Sequence, residues 1–181
     1  PFGVTGTPAI STAGVNFNAN IYATDSRYNV VSTITKAAVL LSSDDPYAAA
    51  LGPWAMASGA APATNLKLYT AGARTLTATD GGGAPALAPG TSNSLPLNPG
   101  NPGYLRVLTP TETRVGGTVA HDRAGPIYSA AAGVPFIAVV DLTDSFWNLT
   151  PGATQEIRLR SDDPFAVIIP TTQVVTTSAA Y

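Results

Sequence analysis

The stretch TAGVNFNANIYATDSRYN at residues 12–29 returns as AAGVPFIAVVDLTDSFWN at residues 131–148. Both copies place Ala-Gly-Val ahead of an aromatic residue, continue into an alternating or apolar run, and end in Asp-Ser-x-x-Asn. The aspartates of the two endings, Asp25 and Asp144, lie 119 residues apart. Such an ordered set of matches at one spacing indicates a tandem duplication, which has to be recognised before the fold is interpreted.

A second match follows each copy and shows that the repeat is displaced relative to the chain. Residues 43–48, SDDPYA, correspond to residues 161–166, SDDPFA, at an offset of 118. At this offset the last residue corresponds to position 63, so residues 64–80 have no counterpart in the second copy. Residues 104–108 open the second copy and have no counterpart ahead of the first residue. We therefore expect a processed product or a piece of a longer array, with ends that lie inside units.

The segments between turn signals have the patterns of β-strands. Residues 17–23 alternate, with Phe17 and Ile21 on the same side, and residues 37–42 form a short apolar run. In the second copy, Ile157 and Leu159 are predicted to point inward from a strand whose charged neighbours point outward. Short strands separated by frequent turn signals are typical of an all-β sandwich.

Three further segments carry more specific expectations. Residues 66–69 and 75–79 alternate on either side of Ala71-Gly72, which predicts a hairpin. Residues 134–142 are predicted as one strand. The Ala-rich stretch 47–63 is interrupted by Gly and Pro, so we expect at most a single helical turn there.

The composition excludes several classes of function. Charged residues make up 11% of the 181 residues, with a net charge of −2 and no basic run, so phosphate backbones have nothing to bind. No apolar stretch approaches the roughly 18 residues of a membrane-spanning helix. The chain has no Cys, which removes disulfides, thiolate metal sites and Cys nucleophiles. We expect neither nucleic-acid binding nor membrane insertion.

Residues 12–80 resemble the bacterial immunoglobulin-like repeats that occur in tandem in very large secreted and cell-surface proteins. The resemblance rests on a TAG-x-x-F opening, a strand ending in D-x-x-x-N, an SSDP-type turn and a closing TAG-x-x-T-L-T-A-T-D segment. Residues 132–166 match its first half, and 105–110 resemble the first strand of such a unit. The departures are a long insert at 111–131 and the missing closing segment of the second copy.

The resemblance implies an all-β chain of two immunoglobulin-like β-sandwich units in tandem, the second lacking its closing strands. We place the first unit at residues 1–103, with a Pro- and Gly-rich end at 81–103, and the incomplete second unit at 104–181. The resemblance also implies a bacterial protein at the cell surface or outside the cell.

Two sets of residues are candidates for binding. Paired aspartates at the turns could supply oxygen ligands for calcium, although Asp before Pro also forms turns with its own backbone; the calcium candidates are Asp25, Asp44, Asp45, Asp144, Asp162 and Asp163. We favour the turn interpretation, with no resident cofactor. The partner-binding candidates belong to the opening strand of the second copy, which the first copy lacks, and to the aromatic pair ahead of Asn148: Tyr104, Leu105, Val107, Phe146 and Trp147.

Catalysis is disfavoured. The single His lies in His121-Asp122-Arg123, with Asp122 and Ser129 nearby in sequence as an acid and a nucleophile. However, no G-x-S-x-G elbow accompanies it, and the first copy lacks these residues.

Two functional hypotheses remain. In the first, the chain builds a stalk, sheath or filament, because an incomplete sandwich exposes a strand edge that a neighbouring unit or chain can complete head to tail. In the second, it is an adhesin-type module that recognises a glycan or a host protein through Phe146-Trp147 and the insert.

Overall fold

A computed structural model describes residues 5–49 and 51–180, with only the backbone described for Ala179 and Ala180. The chain divides into unit 1, Pro1–Asn98, and unit 2, Pro99–Tyr181. The boundary lies five residues ahead of the position that we placed at residue 103 from the sequence.

The described part of both units consists of strands and turns without a helix, so the all-β prediction is confirmed. The presence of several sheets is consistent with the β-sandwich class. The strands of unit 1 are β1 (Ser11–Thr12), β2 (Phe17–Tyr22), β3 (Lys36–Ser43), β4 (Leu51–Met56), β5 (Ala60–Leu66), β6 (Gly72–Arg74), β7 (Leu76–Asp80), β8 (Gly90–Thr91) and β9 (Leu95–Asn98). Those of unit 2 are β10 (Tyr104–Leu108), β11 (Thr113–Arg114), β12 (Arg123–Ala124), β13 (Val139–Thr143), β14 (Thr154–Arg158), β15 (Thr172–Thr176) and β16 (Ser178–Ala180).

The described residues of unit 1 form three sheets. Their strand orders are β1-β9-β6, β2-β5 and β4-β3-β7-β8. All pairings are antiparallel except that of β1 with β9, which is parallel. One core cluster of unit 1 consists of Ala23, Val39, Met56 and Ala61, contributed by β3, β4, β5 and the end of β2.

Unit 2 has one sheet of order β10-β13-β16-β15-β14 and a small β11-β12 ribbon inside the insert. Its core cluster is Val140, Leu142, Ile157 and Val175. At the repeat offsets, Leu142 and Ile157 correspond to Ala23 and Val39 of unit 1. The duplicated sequence therefore places the same positions in both cores.

The strand pairings follow the duplication as well. The antiparallel pair β13–β16 corresponds to β2–β5, and β14–β15 corresponds to β3–β4. The inward positions predicted for residues 17–23 and for Ile157 are confirmed by their burial.

Two sequence predictions are wrong in detail, and a third segment forms strands that the sequence analysis did not predict. The 66–69/75–79 hairpin does not form, because β5 ends at Leu66 and β7 pairs with β3 and β8. The stretch 47–63 contains β4 and the start of β5. Because β4 lies at the edge of its sheet, it can accommodate Gly52 and Pro53. The strand expected at 134–142 begins only at Val139.

None of the residues that the structure describes belongs to a helix of the length and apolarity needed to cross a membrane.

Candidate interaction surface at the open strand edges

Each unit carries the same turn after its first core strand. Asp25 Oδ1 accepts the backbone N–H of Asn29 at 2.9 Å, and Asp144 Oδ1 accepts that of Asn148 at 2.9 Å. The Asn side chain returns to the carboxylate in both turns, at 3.1 and 3.0 Å. The hydrogen bond from the Asn29 side chain is the largest cause that lowers the pKa of Asp25. Both carboxylates thus serve the backbone of their own turns.

The Ser-Asp-Asp-Pro turn of unit 1 does more than close a turn. Asp45 is only 4% exposed and lies at the end of β3. Its carboxylate accepts the N–H groups of Tyr69 and Thr70 at 2.6 and 2.9 Å, the Thr70 hydroxyl at 2.7 Å and the Tyr47 N–H at 3.1 Å. Burial alone would raise the pKa of Asp45, but the hydrogen bonds from Thr70, Tyr69 and Tyr47 outweigh it and lower the pKa. These bonds explain why no strand continues through Tyr69 and Thr70, since the N–H groups of both residues are directed to a carboxylate.

The same turn in unit 2 lacks these additional donors. Asp163 is exposed, and its carboxylate accepts the Phe165 N–H at 2.9 Å, the counterpart of the Tyr47 bond. No other described residue donates to the Asp163 carboxylate. The first aspartates of the two turns, Asp44 and Asp162, differ in the same way. Asp44 accepts the Thr75 N–H at 2.9 Å, whereas the Asp162 side chain has no hydrogen bond within the described chain.

The calcium candidates do not come together. Within residues 5–49 and 51–180, no group of three or more His, Cys, Asp or Glu side chains is placed to hold a metal ion. These carboxylates instead accept hydrogen bonds. Asp25 and Asp163 accept N–H groups of their own turns, and Asp44 accepts that of Thr75. Asp45 and Asp144 accept N–H groups of their own turns and also those of residues 69–70 and of Gly100, respectively.

The outer edge of β3 is covered in unit 1, and that of its counterpart β14 is not. β7 runs antiparallel to β3, pairing Leu40 with Thr79 and Ser43 with Leu76. β14 pairs with β15 alone in the part of unit 2 that the structure describes. β14 also ends at Arg158, whereas β3 continues over the positions that correspond to residues 159–161.

Asp80 fastens the end of β7 to the sheet. Its carboxylate accepts Lys36 Nζ at 2.8 Å and the N–H groups of Leu87 and Gly82, both at 2.9 Å. The hydrogen bond from Lys36 is the largest of the causes that lower the pKa of Asp80 from 3.8 to about 2.

We expect this pKa shift to make unit 1 acid-sensitive. Because the folded pKa lies below the unfolded one, the stabilising contribution of Asp80 is present above about pH 4 and is lost as the pH falls toward about 2. Urea unfolding measured between these pH values should show a steeper loss of stability in the natural chain than in Asp80→Asn. Equal pH dependence in the two proteins would contradict this assignment.

The outer edges of β13 in unit 2 and of its counterpart β2 in unit 1 show the reverse: among the described strands, the edge is covered in unit 2 and open in unit 1. In unit 2, β10 covers the edge of β13, with Arg106 directly opposite Asp141 and Leu105 opposite Leu142. In unit 1, the counterpart of β13 is β2, which pairs only with β5 among the described strands. Tyr22, the counterpart of Asp141, is 53% exposed.

A buried ion cluster holds β10 to β13. Asp141 is fully buried, and its Oδ2 accepts Arg106 Nη2 at 2.7 Å and Arg114 Nε at 2.9 Å. The remaining Arg106 Nη1 donates to the carbonyl oxygens of Val115 and Trp147, at 3.0 and 3.1 Å, and to a third carbonyl of the insert. Burial alone would raise the pKa of Asp141, but the bonds from Arg114 and Arg106 lower it overall. The cluster thus ties the strand and the insert to one sheet.

The partner-binding candidates lie around β10. Tyr104 and Leu105 are half exposed, and Val107 is partly buried against the core. Phe146 and Trp147 are partly buried, and the Trp147 ring lies 5.1 Å from that of Tyr104. Trp147 therefore packs against the strand that covers this edge.

Sequence reasoning missed Arg106 and Asp141, although a signal was present. Each is a charged residue within an otherwise apolar strand, and the two charges are opposite. Charges in a strand core require pairing, so the two strands could have been predicted as neighbours.

No protein-family model, curated protein or solved structure matches this chain.

Proposed function

We propose that this chain is a structural, non-catalytic extracellular repeat protein of immunoglobulin-like units. It builds a surface stalk, sheath or filament through head-to-tail strand complementation between neighbouring units or chains. The observation that carries the proposal is reciprocal: each unit leaves open the edge that the other unit covers with a strand of its own. β7 covers β3 but nothing in the described chain covers β14, while β10 covers β13 but no described strand covers the outer edge of β2.

Open edges favour association because they present unpaired backbone groups to solvent. The two open edges belong to different strands, so a contact that satisfies one of them is heterologous and can propagate into a fibre. The low charged fraction also suits close packing of subunits, because few ions lose their hydration.

The direction of the backbone N–H groups beyond β14 allows the proposed strand pairing to be tested at a single residue, Arg160. The Leu159 N–H donates to Thr171 O on the β15 side at 3.2 Å. Successive N–H groups of an extended chain point to opposite sides, so that of Arg160 points to the open side. Proline at position 160 would remove this donor and obstruct pairing, whereas alanine would retain the N–H.

We expect the natural chain to form concentration-dependent assemblies of uniform width at micromolar concentration, seen by light scattering and negative-stain microscopy. Arg160→Pro should shift assembly to at least about tenfold higher concentration, a change of about 1.4 kcal/mol. Arg160→Ala should assemble as the natural chain does. A natural chain that is folded and monomeric at these concentrations would overturn the proposal.

The alternative, an adhesin-type module for a glycan or a protein, has one supporting observation. The insert exposes two apolar residues, Val119 at 71% and Ile127 at 93%. Substituting both with Ser should abolish surface adhesion by an adhesin and leave the assembly of a filament protein unchanged.

A further inference from the structure

We propose that unit 2 carries an acceptor site for an extended peptide segment of the same type as residues 66–80, supplied by another copy of this repeat. The inference rests on the strand-complementation function proposed above and names the segment that completes unit 2. The site consists of residues 158–161 together with Asp162 and Asp163, and is called the acceptor site below.

Unit 1 provides the template, because it holds its own segment at the equivalent place. β7 lies along β3, with Ser42 opposite Thr77 and Ser43 opposite Leu76. Ahead of β7, Thr70 donates its N–H and its hydroxyl to Asp45. The segment is thus held at two points, a backbone ladder and a carboxylate.

Unit 2 retains the receiving half of both contacts. Residues 158–161 correspond to 40–43, the part of β3 that β7 covers. Arg158, Arg160 and Ser161 are exposed, so this stretch of the chain is accessible. On the β15 side, residues 158–161 and Ala166, Ile168 and Thr171 line a pocket of about 400 Å³.

The second contact point is also present and unfilled. The Asp163 carboxylate keeps the Phe165 N–H that corresponds to the Tyr47 bond, but no described residue takes the place of Thr70. A carboxylate oxygen in this position accepts backbone N–H and hydroxyl donors, which an extended Tyr-Thr segment offers.

Apolar surface around the site fits the same occupant. Phe165 is 90% exposed, against 37% for its counterpart Tyr47. Val167 and Ile169 are also largely exposed, so three alternate residues of this short segment carry exposed apolar side chains. Contiguous exposed apolar residues of this kind mark interaction surfaces.

Hydrogen bonding and pattern identify the occupant. In unit 1, residues 66–80 give the N–H groups of Tyr69 and Thr70 to Asp45 and that of Thr75 to Asp44. Asp163 and Asp162 are the equivalent acceptors in unit 2. The described part of unit 2 contains no segment that corresponds to residues 66–80 at the repeat offset. A strand added to an open edge gains main-chain hydrogen bonds, and alternate side chains provide specificity.

The test uses the full chain and a synthetic peptide of residues 66–80 with an amino-terminal fluorophore, followed by fluorescence anisotropy. We expect saturable binding, which Asp163→Asn in the chain weakens by about tenfold. Glu156→Gln is the matched control, because it too converts an exposed carboxylate to an amide. Glu156 lies on β14, outside the acceptor site, so this substitution should leave peptide binding unchanged.

A double-mutant cycle locates the contact. Thr70→Pro in the peptide removes the backbone donor, and it should weaken binding to the natural chain by about tenfold but binding to Asp163→Asn by much less. This non-additivity would also distinguish binding at unit 2 from exchange with the segment of unit 1. Added peptide should increase hydrogen-exchange protection at residues 158–161.

Absence of saturable binding up to about 1 mM peptide, or equal binding by Asp163→Asn and Glu156→Gln, would overturn the acceptor site. Specific binding by a chain that remains monomeric would support the acceptor site and overturn only the assembly function. A chain that assembles without binding the peptide would support the assembly function and overturn the acceptor site.

Discussion

Replacing Asp141 with alanine is expected to destabilise unit 2 by about 3–5 kcal/mol, because it leaves the buried Arg106 guanidinium without its counter-charge. Arg106 and Asp141 are both at most 1% exposed, so water cannot replace the lost partner. A loss of this size is a large fraction of the stability of a small domain. It should lower the Tm of unit 2 by more than about 10 °C or unfold the unit at room temperature.

The two tryptophans allow the units to be followed separately, since Trp54 lies in unit 1 and Trp147 in unit 2. In a Trp54→Phe background, urea unfolding followed by Trp147 fluorescence reports on unit 2. Asp141→Ala should shift this transition, while unit 1, followed through Trp54 in a Trp147→Phe background, should unfold as before.

Arg114→Gln provides the control within the same cluster. The Arg114 side chain is 46% exposed although it contacts the same carboxylate, so its removal should cost less than about 1 kcal/mol. The double variant Arg106→Met/Asp141→Leu should be more stable than Asp141→Ala, because it leaves no stranded charge. Equal losses for Asp141→Ala and Arg114→Gln would show that the buried pair does not hold β10 in place.

The strand class and the core positions could be predicted from the sequence because they depend on local patterns. The alternation at residues 17–23 and around Ile157 fixes which side chains are buried, whatever the strands pair with. The duplication adds long-range information, since a position that is buried in one copy is expected to be buried in the other.

The sheet partners could not be predicted in the same way. Residues 66–69 alternate as a strand does, yet the segment gives its N–H groups to a carboxylate that is distant in sequence, Asp45. The stretch 47–63 forms strands despite Gly and Pro, because β4 needs hydrogen bonds on one edge only. In both cases a tertiary contact outweighs the local signal.

The candidate site could not be predicted from the sequence for the same reason, because it depends on tertiary contacts. The sequence marks Asp45 and Asp163 as identical turn residues, and their difference arises from what packs against them. Only the comparison of the two units shows that Asp45 accepts donors from residues 69 and 70, whereas Asp163 accepts the Phe165 N–H of its own turn within the described chain.

This difference leads to the second large effect that we expect. Asp45→Ala should destabilise unit 1 by about 3 kcal/mol or more, because it leaves the N–H groups of Tyr69 and Thr70 and the Thr70 hydroxyl without their acceptor, at about 1–3 kcal/mol for each buried group. Urea unfolding followed by Trp54 in a Trp147→Phe background measures this loss.

The matched control is Asp163→Ala, the same change at the same position of the repeat. Asp163 is exposed and receives one N–H from a described residue, so the isolated chain should lose no more than about 0.5 kcal/mol in unit 2. If both aspartates served only their turns, the two substitutions would cost equal amounts, and that result would contradict the anchoring role of Asp45. If the acceptor site is real, adding the peptide of residues 66–80 should stabilise unit 2 of the natural chain and not that of Asp163→Ala, because a ligand stabilises only the folded state that binds it. One pair of substitutions therefore measures both the contact that closes unit 1 and the contact that unit 2 leaves open.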